Sequence, residues 1–274
     1  MQLATLPYDD MAASREALTL YAQLLGSVKE ALTPAVQGED EITLALTARG
    51  LSTGLLLGGV EVRLDLLEQK LRVLRSSGRL QTLDLPGSTV ALLYSGLGQA
   101  LRDLGAEVSL RGEPFPDSGA GSTPFAEDVS HGGEDYRPGD ARAIFGVWTG
   151  IYGVLRRFAA DVAGVDAAAV VSVRDLRLRV CLPDGVSGGP AARRYCGGLS
   201  LGDDSRPEAH FFGERSGAAE ASPRELRPSG AQWRVPGSSA VLMYRAVAPR
   251  DDWPEAIGSF FESSYKAEGD ASDR

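Results

Sequence analysis

The strongest signal along the chain is a change of hydrophobic period within residues 41–104. Ile42, Leu44, Leu46 and Ala48 alternate with Thr43, Ala45, Thr47 and Arg49, the period-2 pattern of a strand with one buried face. Val60, Val62, Leu64 and Leu66 repeat it against Glu61, Arg63 and Asp65. Beyond the polar break Glu68-Gln69-Lys70, residues 71–75 and 80–83 read as two more strands, joined by Ser76-Ser77-Gly78. Links this short join antiparallel neighbours, because a parallel return needs a crossover of about a dozen residues. The pattern predicts an antiparallel meander with one wet face. From Ser88 the period becomes helical: Val90, Leu93, Tyr94, Leu97, Leu101 and Leu104 share a stripe that ends at Gly105. Gly96 and Gly98 each cost that helix about 1 kcal/mol relative to Ala, which predicts a close approach of helix to sheet.

Elsewhere the same rules apply. Residues 1–12 read as an extended lead-in, and Leu18, Tyr21, Leu25, Val28 and Leu32 as a first helix stopped by Pro34. Gln37 to Glu41 reads as a polar turn, Gly50 to Gly59 as a loop, and residues 107–110 as one more short strand. Residues 111–139 form a long connection rich in Gly, Pro, Ser and Asp. A third helix follows, with Ile144, Val147, Trp148, Ile151, Leu155, Phe158 and Val162 on its inner face and Gly164 at its end. Strands are predicted over 176–182, 195–201, 209–212 and 240–244, and a last helix after Asp252-Trp253-Pro254-Glu255. Residues 213–237 read as a mobile loop, and the tail after Lys266 as frayed. The fold class predicted is α+β: two similar lobes, each helix–antiparallel strands–helix, with an internal pseudo-repeat as the architectural hypothesis. The boundaries are 1–110 for the first lobe, 111–139 for the connecting loop and 140–274 for the second lobe.

Composition narrows the function classes. A net charge of −9 (28 basic against 37 acidic residues) argues against nucleic acid and anionic membrane as partners. No apolar run approaches the ~20 residues that span a bilayer, and Met1 to Asp10 lack a signal peptide's basic and apolar regions. The expected compartment is therefore the cytoplasm. Only Lys29, Lys70 and Lys266 among the basic residues are lysines. Cys181 and Cys196 flank a loop between candidate strands and can lie opposite each other; in the cytoplasm the expectation is reduced thiols. Two cysteines and two histidines are too few and scattered for a structural zinc site. No cofactor is implied: the P-loop, Cys-x-x-Cys and His-Glu-x-x-His patterns are missing, and Gly96-Leu97-Gly98 lies inside a helix.

Candidate chemistry is concentrated in one loop. Residues 124–136 place His131 among Glu127, Asp128, Glu134 and Asp135, a setting able to hold a divalent metal or poise a general base. The plainer alternative is an exposed acidic loop whose histidine packs on Phe125 or Tyr136. Arg49 is either an anion clamp or the partner of a carboxylate. Gly198-Leu199-Ser200-Leu201-Gly202 has the form of a nucleophile elbow, but Asp203-Asp204-Ser205-Arg206-Pro207 follows as a turn where a helix is required. Arg177 and Arg179 read as a solvated strand face.

Residues 21–26 (Tyr21-Ala22-Gln23-Leu24-Leu25-Gly26), 31–34 (Ala31-Leu32-Thr33-Pro34) and 46–53 (Leu46-Thr47-Ala48-Arg49-Gly50-Leu51-Ser52-Thr53) together resemble bacterial domain-of-unknown-function family 5996. So do Pro124-Phe125, Glu127-Asp128, His131 and Tyr136, and the helix around Trp148 and Arg157. The resemblance covers most of residues 7–182 and fades afterwards. It implies no activity. It implies that Thr47, Arg49, Asp128, His131 and Tyr136 belong to a recurring pattern, which makes them the candidate binding residues. An ion pair between Arg49 and Asp128, pinning the loop to the sheet, is the structural explanation of that recurrence.

Three readings of function stand: a non-catalytic protein binding a small molecule or a protein partner, a hydrolase or metal-dependent enzyme centred on His131, or a homo-oligomeric assembly subunit.

Overall fold

Alternation along residues 42–83 becomes sheet in a computed structural model that describes residues 2–33, 42–116, 122–183, 194–203, 206–216, 225–234 and 239–266. The chain divides into two units. One combines Asp9–Phe145 with Val170–Leu176; the other combines Met1–Tyr8, Gly146–Ala169 and Arg177–Arg274. We call them the N-terminal and C-terminal units.

The N-terminal unit contains α1 (Ala12–Leu32), β1 (Thr43–Thr47), β2 (Gly50–Ser52), β3 (Val60–Asp65), β4 (Lys70–Arg75), β5 (Leu80–Asp84) and α2 (Val90–Asp103). Helix α3 (Pro138–Ala163) starts in it, and the short strand β6 (Val170–Ser172) returns to it. Strand order is β6-β1-β2-β3-β4-β5, with the pairings β1–β6, β1–β2, β2–β3, β3–β4 and β4–β5 all antiparallel. Leu44, Leu51, Val60, Val62, Leu64, Leu71 and Val73 are at most 1% exposed, so the period-2 face is the core face. The predicted close approach of α2 is found at Gly96, where a Cβ would lie 3.1 Å from the Leu83 methyls. Gly105 ends α2 at φ +75°, the left-handed geometry that glycine accepts at a helix C-terminus.

The C-terminal unit holds the rest of α3, then β7 (Leu178–Pro183), β8 (Arg194–Ser200), β9 (His210–Ser216), β10 (Gln232–Arg234), β11 (Ser239–Met243) and α4 (Trp253–Lys266). Its strand order is β10-β11-β9-β8-β7, again antiparallel. Gly197 and Gly213 are register partners, and the space a Cβ would need at each is taken by Phe261 and Ser264 of α4 or by Tyr195. Two glycines side by side let α4 sit close to the strands, and Tyr195 and Ser264 close the contact with a 2.7 Å hydrogen bond. Trp148, at 0% exposure, is core as expected.

The α+β class with antiparallel sheet holds. Three short strands were not legible: β2 inside the predicted loop 50–59, β6, and β10 inside the predicted mobile segment 213–237. In that segment β9 also continues to Ser216, while 217–224 and 235–238 lie outside the described residues. Residues 34–41, which include the predicted turn, and the tail from 267 lie outside them as well. The predicted strand at 107–110 does not form. The expectation of reduced thiols is overturned: Cys181 and Cys196 face each other across β7 and β8 and form a disulfide.

Candidate functional site

The residues singled out from the sequence fall into two clusters within the N-terminal unit. The first lies on the sheet face opposite the core. Thr47 closes the β1–β2 turn, its hydroxyl donating to the Gly50 carbonyl (3.0 Å) and accepting from the Arg49 amide (3.3 Å). Gly50 allows this turn because it sits at φ +148°, where an added Cβ would come 2.0 Å from the Leu64 carbonyl oxygen. The turn aims Arg49 across β3, where its Nε donates to Asp65 at 2.7 Å and its Nη2 to Glu68 at 2.5 Å. Arg72 reaches the same two carboxylates. Asp65 is 3% exposed. Burial alone raises its pKa, but the Arg49 hydrogen bond, the Glu68 amide and the charges of Arg49 and Arg72 together hold it below the usual carboxylate range.

Beside this network is a hollow of about 320 Å³, lined in part by Thr47, Arg49, Arg63, Arg72, Leu74 and Leu80. Register explains the grouping. Arg63 pairs with Arg72, Leu74 pairs with Leu80, and residues directly opposite or two apart share a face. Arg63 is held by Glu61 in a two-point fork, both bonds 2.7 Å.

The second cluster is the 124–136 loop, whose carboxylates divide: Glu127, Glu134 and Asp135 are exposed, while Asp128 is buried. Phe125, Asp128 and Tyr136 are 0%, 1% and 3% exposed. The Asp128 carboxylate accepts from the Ser130 amide and hydroxyl and from the His131 amide, at 2.9–3.1 Å. It also meets His131 Nδ1 at 2.9 Å. Burial pushes its pKa up, yet the Ser130 and His131 hydrogen bonds outweigh this and lower it. The loop then caps α2: the Ala91 amide donates to the Asp128 carbonyl (2.9 Å) and the Val90 amide to the His131 carbonyl (3.1 Å), satisfying donors that a helix start leaves open. Tyr136 donates to the buried Gln69 side chain at 2.6 Å and packs edge-on to Tyr21. Burial raises the pKa of both tyrosines.

Thr47 and Arg49 therefore share the hollow, whereas Asp128, His131 and Tyr136 share the loop cluster. Arg49 takes a carboxylate partner, but the partner is Asp65 and not Asp128, whose own partner is His131. His131 meets Asp128 through Nδ1 at 2.9 Å, and its Nε2 faces Glu16 of α1 at 3.7 Å. Of the four carboxylates near His131 in sequence, only Asp128 engages it. Among the described residues, no group of three or more His, Cys, Asp or Glu side chains is arranged to hold a metal ion.

Sequence reasoning missed Asp65, Glu68, Arg72 and Leu74 as companions of Arg49, although Asp65 and Arg72 were visible as polar positions of their strands. It also missed Glu16, for which the sequence carries no signal. Ser200, central to the elbow-like motif, is 2% exposed, ends β8 without a following helix, and accepts from the Gly202 amide. No described helix is long and apolar enough to cross a membrane.

Residues 3–171 match the model of a family of unknown function, DUF5996. The match spans more than half of the chain, and the chain belongs to that family. Neither the curated proteins nor the solved structures contain a match.

Proposed function

We propose that this DUF5996 member is a non-catalytic protein that binds a small molecule in the hollow on the wet face of the N-terminal sheet. The observation that carries the reading is the lining itself. A volume of about 320 Å³ falls within the range of small-ligand sites, about 300–1,000 Å³. One side is apolar, from Leu74 and Leu80, and the other presents Arg49, Arg63 and Arg72. Each guanidinium has five donors, and the carboxylates of Glu61, Asp65 and Glu68 engage only some of them. The complementary ligand has an apolar body and one hydrogen-bond-accepting group. Ligand-observed NMR with a fragment library tests it. Hits should be lost in Leu74→Gln and Arg72→Gln and kept in His131→Gln. Hits that bind all three variants equally, or no hits at all, refute it.

A second reading is favoured by one specific geometry. Asp128 holds His131 Nδ1 and orients the ring, so that Nε2 is the nitrogen placed to meet a substrate as a hydrolase's general base would. Chromogenic ester and phosphoester hydrolysis by the wild type, abolished in His131→Gln, is the result that would favour it. Activity that survives this substitution eliminates it.

A further inference from the structure

The hollow on the wet face of the N-terminal sheet borders a carboxylate bound between two guanidiniums, and that carboxylate belongs to the chain itself. Glu68 sits in the turn between β3 and β4. Its Oε1 accepts from Arg49 Nη2 at 2.5 Å and its Oε2 from Arg72 Nη2. Arg49 and Arg72 also converge on Asp65 Oδ2, their Nε atoms lying 2.7 and 3.5 Å from it. These shared carboxylates fix the two guanidiniums side by side, and both arginines line the hollow. A carboxylate spans two guanidiniums in this way because its two oxygens together offer about four acceptor sites.

The three carboxylates of this face are held with different firmness. Asp65 is 3% exposed and, besides the arginines, accepts from the Leu67 amide at 3.2 Å and the Glu68 amide at 2.9 Å. Glu61, 19% exposed, is fixed by the Arg63 fork and by the Ser52 hydroxyl at 2.7 Å. Glu68 is 51% exposed, and among the described residues its side chain meets only Arg49 and Arg72. The turn beneath it is anchored: the Leu67 carbonyl accepts from Arg142 at 3.2 Å and the Gln69 carbonyl from the Leu85 amide at 3.0 Å. The Glu68 side chain can therefore swing into water while its backbone stays in place. Exposed ion pairs contribute little, because water solvates the separated charges nearly as well.

We propose that the hollow binds a small carboxylic acid with an alkyl or aryl body, whose carboxylate displaces Glu68 from Arg49 and Arg72. This rests on the reading of the hollow as a small-molecule site, and adds the ligand's charge and the side chain it replaces. The charge balance makes binding an exchange. Arg49, Arg63 and Arg72 already stand against Glu61, Asp65 and Glu68, so an anion added to the intact network would be repelled by Asp65. With Glu68 turned outward, the same two Nη2 donors pass to the ligand and the balance is kept. The apolar body then covers Leu74 and Leu80, of which Leu80 is 47% exposed. Glu68 has no such body to bury, and this burial is the ligand's advantage over it.

A panel of aryl and short alkyl carboxylic acids, each paired with its primary amide, tests the proposal by ligand-observed NMR titration of the full chain at low salt. The acids are expected to bind about tenfold or more tighter than their amides, the range for hydrogen bonds to a charged group. Arg49→Gln should remove that preference. Glu68→Gln keeps the side chain's size and deletes its charge. It should tighten the acids about threefold to fivefold, the range of an exposed ion pair, and leave the amides unchanged. Glu68 is half-exposed, so this variant is expected to melt like the wild type. Acids and amides that bind equally, both lost in Leu74→Gln, overturn the proposal and leave the small-molecule reading standing. Binding of neither class, or binding indifferent to Leu74→Gln, overturns both. Acid binding that is unchanged or weaker in Glu68→Gln also overturns the proposal.

Discussion

Replacing Asp128 with alanine removes one buried acceptor and strands four donors. The Ser130 amide and hydroxyl and the His131 amide and Nδ1 all converge on this carboxylate at 2.9–3.1 Å. A hydrogen bond to a charged group contributes roughly 1.5–3 kcal/mol, and a neutral one about 1 kcal/mol. Ser130 is exposed and His131 half-buried, so their donors recover water when the carboxylate goes, and the simple sum overstates the loss. A net cost of about 3 kcal/mol is expected, comparable with breaking one partner out of a buried pair. The damage should be local first. The loop carbonyls cap Val90 and Ala91, so native-state hydrogen exchange at these two amides should accelerate before exchange in β3 or β4. The sign of the pH dependence follows from the lowered pKa of Asp128. Its contribution is complete above the unfolded carboxylate pKa of about 3.9 and is lost as pH falls through the lower folded value. Urea denaturation at pH 7 followed by circular dichroism, with exchange read by NMR, measures both effects. A cost below about 1 kcal/mol with unchanged exchange at Val90 and Ala91 would refute the capping role.

Three further outcomes are expected. Gly50→Ala should be strongly destabilising, by more than the 1–3 kcal/mol of ordinary backbone strain, because its Cβ would lie 2.0 Å from a backbone oxygen; thermal unfolding measures it. Tyr136→Phe should cost about 1–3 kcal/mol by orphaning the buried Gln69 acceptor, and a Gln69→Leu partner substitution should recover part of it in a double-mutant cycle. Under non-reducing conditions thiol titration should detect no free cysteine, and reduction should lower stability by about 3 kcal/mol, the chain-entropy figure for a loop of about 15 residues, in keeping with the 15-residue separation of Cys181 and Cys196.

How far the sequence reached depended on the range of the forces involved. Alternation in residues 42–48, 60–66 and 71–75 and the helical stripe from Val90 to Leu104 are local records of which side faces the core, so those elements and the α+β class were legible. Three-residue strands such as β2, β6 and β10 hold too few positions for a period to show, and only pairing with neighbours makes them strands. The contact of His131 with Asp128 spans three residues and was foreseen as proximity. Its consequence, a loop anchored through the buried Asp128 and capping α2, needs the fold. Arg49 illustrates the limit most clearly. Its type announced an anion partner. Which carboxylate it meets, Asp65 and not Asp128, is decided by the register of β2 on β3, and register is set by the summed burial of the opposite face. The same holds for Cys181 and Cys196. The sequence by itself determined the elements and their buried sides; tertiary structure alone decided which polar residues became neighbours on the faces left over.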